Sequence, residues 1–297
     1  MVKMKDMCCF VNYWNLPNPS HSPMCSTLPR RGGATIMRTD ATAPKCSGTR
    51  PLTVRRAAIF AVFGSLALAW VMYGSYPPGN HLLPQSRDIA EIRARVSPDL
   101  RRDLAASGLS FGAPVFLRIF KEESTLELWV QDGAEYRKFR DYEICNYSGH
   151  LGPKLREGDR QSPEGFYSVP KSALNPNSSY HLSFNLGFPN RFDRDNGRTG
   201  SFLMVHGDCV SVGCYAMRDA GIEEIYLLVE AALGGGQDAV PVHAFPFRMH
   251  PARMAAAADS QWYGFWTELK AGYDAFEANH VPPVMTVTGG AYVLGDG

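Results

Sequence analysis

One cysteine and one histidine, eight residues apart, have the side chains that nucleophilic chemistry needs. The stretch Met204 to Met217 reads M-V-H-G-D-C-V-S-V-G-C-Y-A-M, with His206 and Cys214 at the two ends of a loop of small residues. A thiol attacks a carbonyl as its thiolate, so it needs a neighbouring base or cation. The loop can fold back and bring the imidazole to the sulfur. The pair is therefore a candidate acyl-transfer site, with Cys214 as nucleophile and His206 as general base.

The loop also offers backbone N–H groups for an oxyanion. Around Ser211, Gly213 and Cys214 no bulky side chain obstructs them, which is what an oxyanion hole requires. Two other interpretations remain open from the residues alone. A cysteine and a histidine in one sequence are often unrelated core residues. His206, Cys209 and Cys214 also form H-x2-C-x4-C, three of the four ligands of a zinc site.

The same stretch resembles the active-site signature of the L,D-transpeptidase catalytic domain, the YkuD family. It is similar in particular to the YafK-like branch, where His-Gly stands close before S-x-G-C. The resemblance covers residues 111–290 and includes three further motifs: G-D-R-Q-S-P-E-G-F-Y-S-V from Gly158 to Val169, N-L-G-F-P-N from Asn185 to Asn190, and P-F-R-M from Pro246 to Met249.

This resemblance implies an α+β fold, a mainly β YkuD-type sandwich with packed helices. It implies a thiolate that attacks the bond after meso-diaminopimelate in a peptidoglycan stem peptide. N–H groups near Gly213 and Cys214 would hold the oxyanion, and Gly207 or Ser211 would orient His206. No metal and no organic cofactor is required. Three functions follow: an L,D-transpeptidase, a hydrolase that cuts such a linkage (for example one to a wall-attached protein), or a non-catalytic wall-binding protein.

Two positions depart from the wider family. Many members have His before the Gly-Cys and Arg two residues after the Cys, where this chain has Val212 and Ala216. Either other residues replace the missing His and Arg in substrate binding, or the substrate differs. Arg218 and Arg191 are the candidates for binding substrate carboxylates, and the alternative for Arg191 is a solvated loop with local ion pairs.

Charge argues against nucleic acid as a partner. Residues 1–56 contain nine Lys or Arg and two acidic residues, whereas the remainder contains 21 basic and 27 acidic residues, a net charge of −6. An acidic main domain does not suit a polyanionic ligand.

The first 110 residues precede the expected catalytic domain. Residues 1–56 are expected to be unstructured, and residues 1–36 to be a gene-model artefact upstream of a start at Met37. The apolar segment 57–74 follows basic residues, as in a secretory signal. We expect a cleaved signal, with an uncleaved membrane anchor as the alternative, and in either case a periplasmic location. Residues 75–110 read as a linker and two short helices, at 87–96 and 98–106, the second capped by Ser97.

Residues 111–250 are the expected catalytic domain. Period-two patterns predict a meander of three strands (115–120, 125–130 and 136–144), a long polar loop (148–165), and later strands at 166–169, 180–184, 202–205 and 240–247, with a turn at 175–179. A helix from Asp219 to Leu233 has an apolar stripe, and its acidic residue Glu223 is expected at the surface. Residues 251–297 are a C-terminal extension whose aromatic helix, 260–276, is expected to pack on the domain.

Three cysteines follow the apolar segment. If Cys214 is the nucleophile, Cys145 and Cys209 remain. We expect two buried free thiols, with a disulfide between them in an oxidising compartment as the alternative.

Overall fold

The computed structural model describes residues 88–295 of the 297-residue chain. The segments predicted as unstructured (1–56) and as signal or anchor (57–74) lie outside the described residues, as does most of the linker. None of the helices within 88–295 has the length and apolarity to span a membrane.

The first described element is one helix where the sequence predicted two. Helix α1 (Ile89–Ala106) begins at Asp88, whose side chain accepts from Ala90 N, and runs through Pro98 without a break. A proline removes one backbone N–H from the helix, a local cost. Ile92, Leu100 and Leu104 lie on both sides of Pro98 and are all buried, so packing of the whole stripe outweighs that cost.

The first sheet confirms the predicted meander and extends it. Strands β1 (Val115–Phe120), β2 (Thr125–Asp132) and β3 (Glu135–Glu143) pair antiparallel, while β10 (Ala239–Phe245) lies parallel to β1 and pairs antiparallel with β5 (Gly165–Pro170). The order is β3-β2-β1-β10-β5. All six residues of β1 are buried, as expected for a strand covered on both faces.

The second sheet contains the strands on either side of the loop from His206 to Cys214. Its order is β4 (Asn146–Tyr147), β9 (Tyr215–Ala216), β8 (Met204–His206), β7 (His181–Asn185) and β6 (Leu174–Ser178). The prediction of a turn at 175–179 is wrong, since most of that segment forms β6. Its Asn and Pro residues are accommodated because β6 lies at the sheet edge and is irregular after Asn175.

A helix lies between the two sheets. Helix α3 (Arg218–Gly234) contacts β7 and β8 of the second sheet and β1 and β10 of the first. A helix enclosed in this way is apolar nearly all round, and Ile222, Ile225 and Val229 are fully buried. The prediction that Glu223 lies at the surface is wrong. It is buried, and its Oε1 bonds His181 Nε2 at 2.8 Å and Arg95 Nη2 at 2.7 Å.

The C-terminal part adds a second, aromatic core against the first sheet. Helices α4 (Pro251–Ala256) and α5 (Tyr263–Asn279) precede a hairpin of β11 (Met285–Thr288) and β12 (Ala291–Leu294). Trp266, Tyr273 and Tyr292 are buried with phenylalanines of β1, β5 and β10. The short helix α2 (Arg191–Asp195) joins this cluster through Phe192. The fold is α+β, as the sequence predicted.

Candidate active site

His206 and Cys214 lie on neighbouring strands. His206 ends β8, and Cys214 immediately precedes β9, which pairs parallel with β8 in the register Val205 to Tyr215 and His206 to Ala216. The backbone N–H of Met204, two residues before His206, donates to Cys214 Sγ at 3.4 Å. The parallel pairing therefore holds the thiol over the strand that ends in the imidazole. The sequence spacing predicted that the loop brings the imidazole to the sulfur. The register of two very short strands places the two residues on neighbouring segments of the sheet.

The imidazole of His206 has one tautomer that fits its surroundings. The ring is 2% exposed, and its Nδ1 lies 2.5 Å from the carbonyl oxygen of Gly207. A carbonyl only accepts, so Nδ1 carries the proton and Nε2 has the free lone pair. The ring of Tyr180 covers it at a centroid distance of 4.9 Å. Burial lowers the pKa of His206, and the Gly207 carbonyl and Asp208 offset this effect only in part. The lowered pKa favours the neutral, basic form of the imidazole.

Cys214 is a free, half-buried thiol. Its Sγ donates to Phe202 O at 3.6 Å, and within residues 88–295 no hydrogen bond joins it to His206. Burial raises the pKa of Cys214, against smaller lowering effects of the Met204 N–H and of the Lys154 ammonium. The resting residue is therefore a thiol rather than a thiolate. Any chemistry of the thiolate therefore requires a base, and the unengaged Nε2 of His206 is the candidate for it.

Serine side chains hold the backbone of the nucleophile. The carbonyl oxygen of Cys214 accepts from Ser162 Oγ at 2.9 Å and from Ser211 Oγ at 2.8 Å. Ser148 Oγ lies 2.7 Å from Ser211 Oγ. Of the two residues predicted to orient His206, Gly207 contacts it, whereas Ser211 contacts Cys214 instead. Gly213 N–H points to Ser211 Oγ at 3.3 Å, a long hydrogen bond that an oxyanion would have to replace.

Gly207 occupies a position that no other residue fits. A Cβ there would lie 2.7 Å from Asp219 Oδ1, 2.8 Å from His181 Cβ and 2.9 Å from Tyr180 O. Its N–H donates to Leu182 O at 3.1 Å, which ties the end of β8 to β7. The close approach places the carbonyl that orients the imidazole.

A cleft of ≈ 480 Å³ lies behind Tyr180 and the start of α3, lined by Ser179, Tyr180, His181, Asp208, Cys209, Arg218 and Asp219. Arg218 is exposed. Its backbone N–H donates to Asp208 O at 2.9 Å, and its φ is +57°. Asp208 also has a positive φ, of +58°. Such conformations cost of order 1–3 kcal/mol in a non-glycine residue and tend to cluster at functional sites.

The other predicted carboxylate-binding residue lies elsewhere. Arg191 is at the start of α2, where its side chain is 71% exposed and its Nε faces Asp195 Oδ2 at 3.6 Å. The structure therefore brings Arg218, and not Arg191, to the cleft lined by Tyr180, whose ring covers His206. Neither His206 nor Cys214 lines that cleft.

The two departures from the family pattern have different surroundings. Val212 is 68% exposed, whereas Ala216 is fully buried in β9 opposite His206. A long cationic side chain at position 216 would have to displace this packing. The buried packing around Ala216 therefore leaves no room for an arginine at this position.

Sequence reasoning missed the support that the polar loop 148–164 gives to Cys214. Ser162 and Glu164 are fully buried, and Lys121 Nζ bonds Ser162 O at 3.1 Å and Glu164 Oε1 at 3.0 Å. Lys154 from the same loop is buried against Asp159 at 2.6 Å. In the sequence the loop has no periodicity, and only its likeness to the family's G-D-R-Q-S-P-E-G motif marks it.

The expectation of two free thiols at Cys145 and Cys209 is wrong. The two residues form a disulfide with a Cα–Cα distance of 5.5 Å. The segment before β4 places Cys145 beside the loop after His206, a proximity over 64 residues that no local pattern encodes. Because the sulfur of Cys209 is in this bond, the zinc set of His206, Cys209 and Cys214 loses one ligand.

No family model matches the chain. The chain is 51% identical over 183 residues to the protein named "Putative L,D-transpeptidase YafK" of Escherichia coli K12, covering 62% of this chain and 74% of YafK. The values are the same for YafK of Escherichia coli O157:H7. Among solved structures, the helical cell shape determining protein Pgp2 from Campylobacter jejuni aligns with a TM-score of 0.37 and 16% identity, over 62% of this chain and 79% of that one. That likeness is too distant to carry an argument, and the family assignment depends on the sequence relatives.

Proposed function

This chain belongs to the L,D-transpeptidase family, in the branch of YafK, and on that premise we propose that it is a cysteine acyltransferase acting on peptidoglycan stem peptides that contain meso-diaminopimelate. The observation that supports the proposal is a free thiol on the segment next to a base of defined tautomer. Cys214 immediately precedes the strand that pairs with the strand ending in His206, whose Nδ1 is engaged by Gly207 O and whose Nε2 is left as acceptor.

The reaction proceeds in two halves. His206 Nε2 takes the proton of Cys214 Sγ, and the thiolate attacks the carbonyl between the L-centre of the stem peptide and a D-amino acid. N–H groups near Gly213 and Cys214 stabilise the oxyanion. The amide C–N bond breaks, the leaving amine receives the proton from His206, and a thioester on Cys214 remains. An incoming amine, deprotonated by His206, then attacks the thioester and releases the thiol. No metal or organic cofactor takes part.

A hydrolase is the second candidate, and the departures at Val212 and Ala216 favour it. In that reaction water replaces the incoming amine, and the cleaved linkage is one to diaminopimelate, such as that of a wall-attached protein. A non-catalytic peptidoglycan-binding protein is the third candidate. The ordered contacts of Cys214 and His206 argue against it, because a vestigial site has no need of them.

The proposed location is the periplasm, where a signal or anchor within residues 57–74 would direct the chain. The disulfide between Cys145 and Cys209 supports this, since structural disulfides persist in oxidising compartments.

The test is incubation of the full chain with diaminopimelate-type peptidoglycan, in parallel with Cys214→Ala and with Cys214→Ser, and with products identified by mass spectrometry. New cross-linked dimers or exchanged terminal D-amino acids that both variants lack would establish transpeptidation. Cleaved stems, or a released lysine-containing fragment from protein-bearing peptidoglycan, without new cross-links would establish hydrolysis. Equal products from wild type and Cys214→Ala would refute the enzymatic proposal.

A further inference from the structure

A disulfide joins the middle of the catalytic loop to the strand beside the nucleophile. Cys209 lies five residues before Cys214, and its partner Cys145 immediately precedes β4. Of the three cysteines in residues 88–295, two are therefore in a bond that constrains the segment carrying the third.

The loop between His206 and Cys214 has other anchors near its two ends, and one long hydrogen bond in its middle, from Asn146 Nδ2 to Cys209 O at 3.3 Å. At the start, Asp208 N donates to Asp219 Oδ1 at 2.9 Å, and at the end Ser211 Oγ donates to Cys214 O at 2.8 Å. Between these anchors Val210 and Val212 are 50% and 68% exposed, so they contribute little core packing. The disulfide is the covalent anchor of this middle part.

The same bond also secures the strand next to the nucleophile. Strands β4 and β9 pair over two residues only, Asn146 with Ala216 and Tyr147 with Tyr215. A further backbone hydrogen bond joins Cys145 N to Ala216 O at 2.8 Å. A two-residue ladder is weak on its own. Breaking the disulfide would release both the loop that precedes Cys214 and the edge strand that follows Cys145.

The disulfide is accessible from solvent. Both cysteines are half-buried, and Cys209 lines the cleft that also contains Arg218. A dithiol can therefore attack it: one reductant sulfur forms a mixed disulfide and expels the first cysteine thiol, and the second sulfur then expels the other. The products are two cysteine thiols and one oxidised reductant, so electrons and protons balance.

We propose that the Cys145–Cys209 disulfide is a reversible modification site, and that the two cysteines are positioning residues for Cys214. The oxidised protein is the active form, and reduction by a dithiol, small or protein-borne, switches acyl transfer off. The inference rests on the proposed function, because it concerns regulation of that same site.

The test compares four samples of the full chain: oxidised wild type, wild type reduced with dithiothreitol, and the Cys145→Ala/Cys209→Ala variant with and without dithiothreitol. Disulfide status is read by mass spectrometry of thiol-labelled peptides, and folding by circular dichroism. We expect kcat of wild type to fall at least about tenfold on reduction, because small displacements of a nucleophile are costly. Reoxidation with oxidised glutathione should restore it, and the variant should be slow and indifferent to dithiothreitol.

A second readout separates positioning from general stability. The rate of iodoacetamide labelling of the Cys214 peptide is followed against pH in each sample. A loosened loop exposes the thiol and lowers the midpoint of this profile, whereas a merely less stable but unchanged site leaves it in place. This readout does not need turnover, so it still tests the inference if the proposed function fails. The inference is overturned if reduced wild type, with both thiols confirmed, has the same kcat or the same labelling profile as the oxidised protein.

Discussion

The Nδ1 atom of His206 lies 2.5 Å from the carbonyl oxygen of Gly207, the next residue in the chain. A histidine that acts as a base needs a partner that fixes its tautomer, and for His206 the backbone supplies that partner in place of an Asp or Asn side chain. The orientation of the imidazole therefore depends on the path of the chain after β8. If His206 is the proposed base, catalysis depends on this local backbone geometry.

The first prediction concerns the pH dependence of turnover. His206 acts as a base only when neutral, and burial lowers its pKa below the ordinary 6.5. Activity should therefore persist below pH 6.5 and fall only in more acidic buffer. A plot of kcat/KM against pH reports the free enzyme, and its acid limb should have a midpoint below 6.5. A midpoint at or above 6.5 would contradict the assignment of His206 as a buried base.

The second prediction concerns Gly207→Ala. The added Cβ would collide with Asp219, His181 and the backbone of Tyr180, so the chain must shift and carry the orienting carbonyl with it. We expect kcat to fall about a hundredfold and the free energy of unfolding to fall by about 1–3 kcal/mol. The matched control is Gly264→Ala in helix α5, where a Cβ meets nothing within 4 Å. That control should keep full activity.

The third prediction tests the support of the nucleophile by Ser162. Its hydroxyl is buried and donates to the carbonyl oxygen of Cys214 at 2.9 Å. Ser162→Ala should lower kcat about tenfold with little change in KM, because the nucleophile is misplaced while substrate contacts remain. Ser107→Ala, which removes an exposed hydroxyl at the end of α1, is the control. A drop confined to KM would show that Ser162 contacts substrate instead.

The fourth prediction compares two arginines. Arg218 lines the cleft beside Tyr180, whereas Arg191 faces Asp195 on its own helix. Arg218→Ala should raise KM about tenfold or more by removing a charge-assisted contact to a substrate carboxylate. Arg191→Ala should change KM less than about twofold, as expected of an exposed pair. Steady-state kinetics with one stem peptide measure the KM of both variants. The control is Arg102→Ala on α1. A larger effect at Arg191 would relocate the carboxylate site.

The fifth prediction concerns stability in acid. His243 is fully buried among Phe116 and Phe166, and burial lowers its pKa to about 3. The unfolded chain binds a proton below pH 6.5 that the folded protein does not. Stability is therefore complete above pH 6.5 and declines by about 1.4 kcal/mol per pH unit as pH falls toward 3.

The matched variant for this effect is His243→Leu, which has no proton to bind. Urea unfolding of both proteins between pH 7 and pH 4 should show wild type losing about 3 kcal/mol relative to the variant. Parallel pH dependences of the two proteins would mean that the imidazole is protonated in the folded state.

The sequence predicted those features that depend on short-range patterns. Period-two patterns and the turn residues between them predicted β1, β2 and β3, although β1 is buried on both faces and shows no alternation in burial. The apolar run before His206 predicted the short strand that ends in the base, and the order of the motif placed the thiol on the next segment of the same sheet; that the two side chains meet stays a prediction. Glycine at 207 and 213 marked the two ends of the connecting loop, and only the structure shows that Gly207 approaches Asp219, His181 and Tyr180 closely.

The tertiary structure decided what depends on distant parts of the chain. Helix α1 continues through Pro98 because its apolar stripe packs against α3 on both sides of the proline. Glu223 is buried with His181 because α3 lies between the two sheets. The polar loop brought Ser162 to the Cys214 carbonyl, 52 residues away. The segment before β4 placed Cys145 beside Cys209. These contacts join segments that share no periodicity, so no spacing in the sequence encodes them. Residue types alone fixed the chemistry of the thiol and the imidazole, and only the fold determined how each is held.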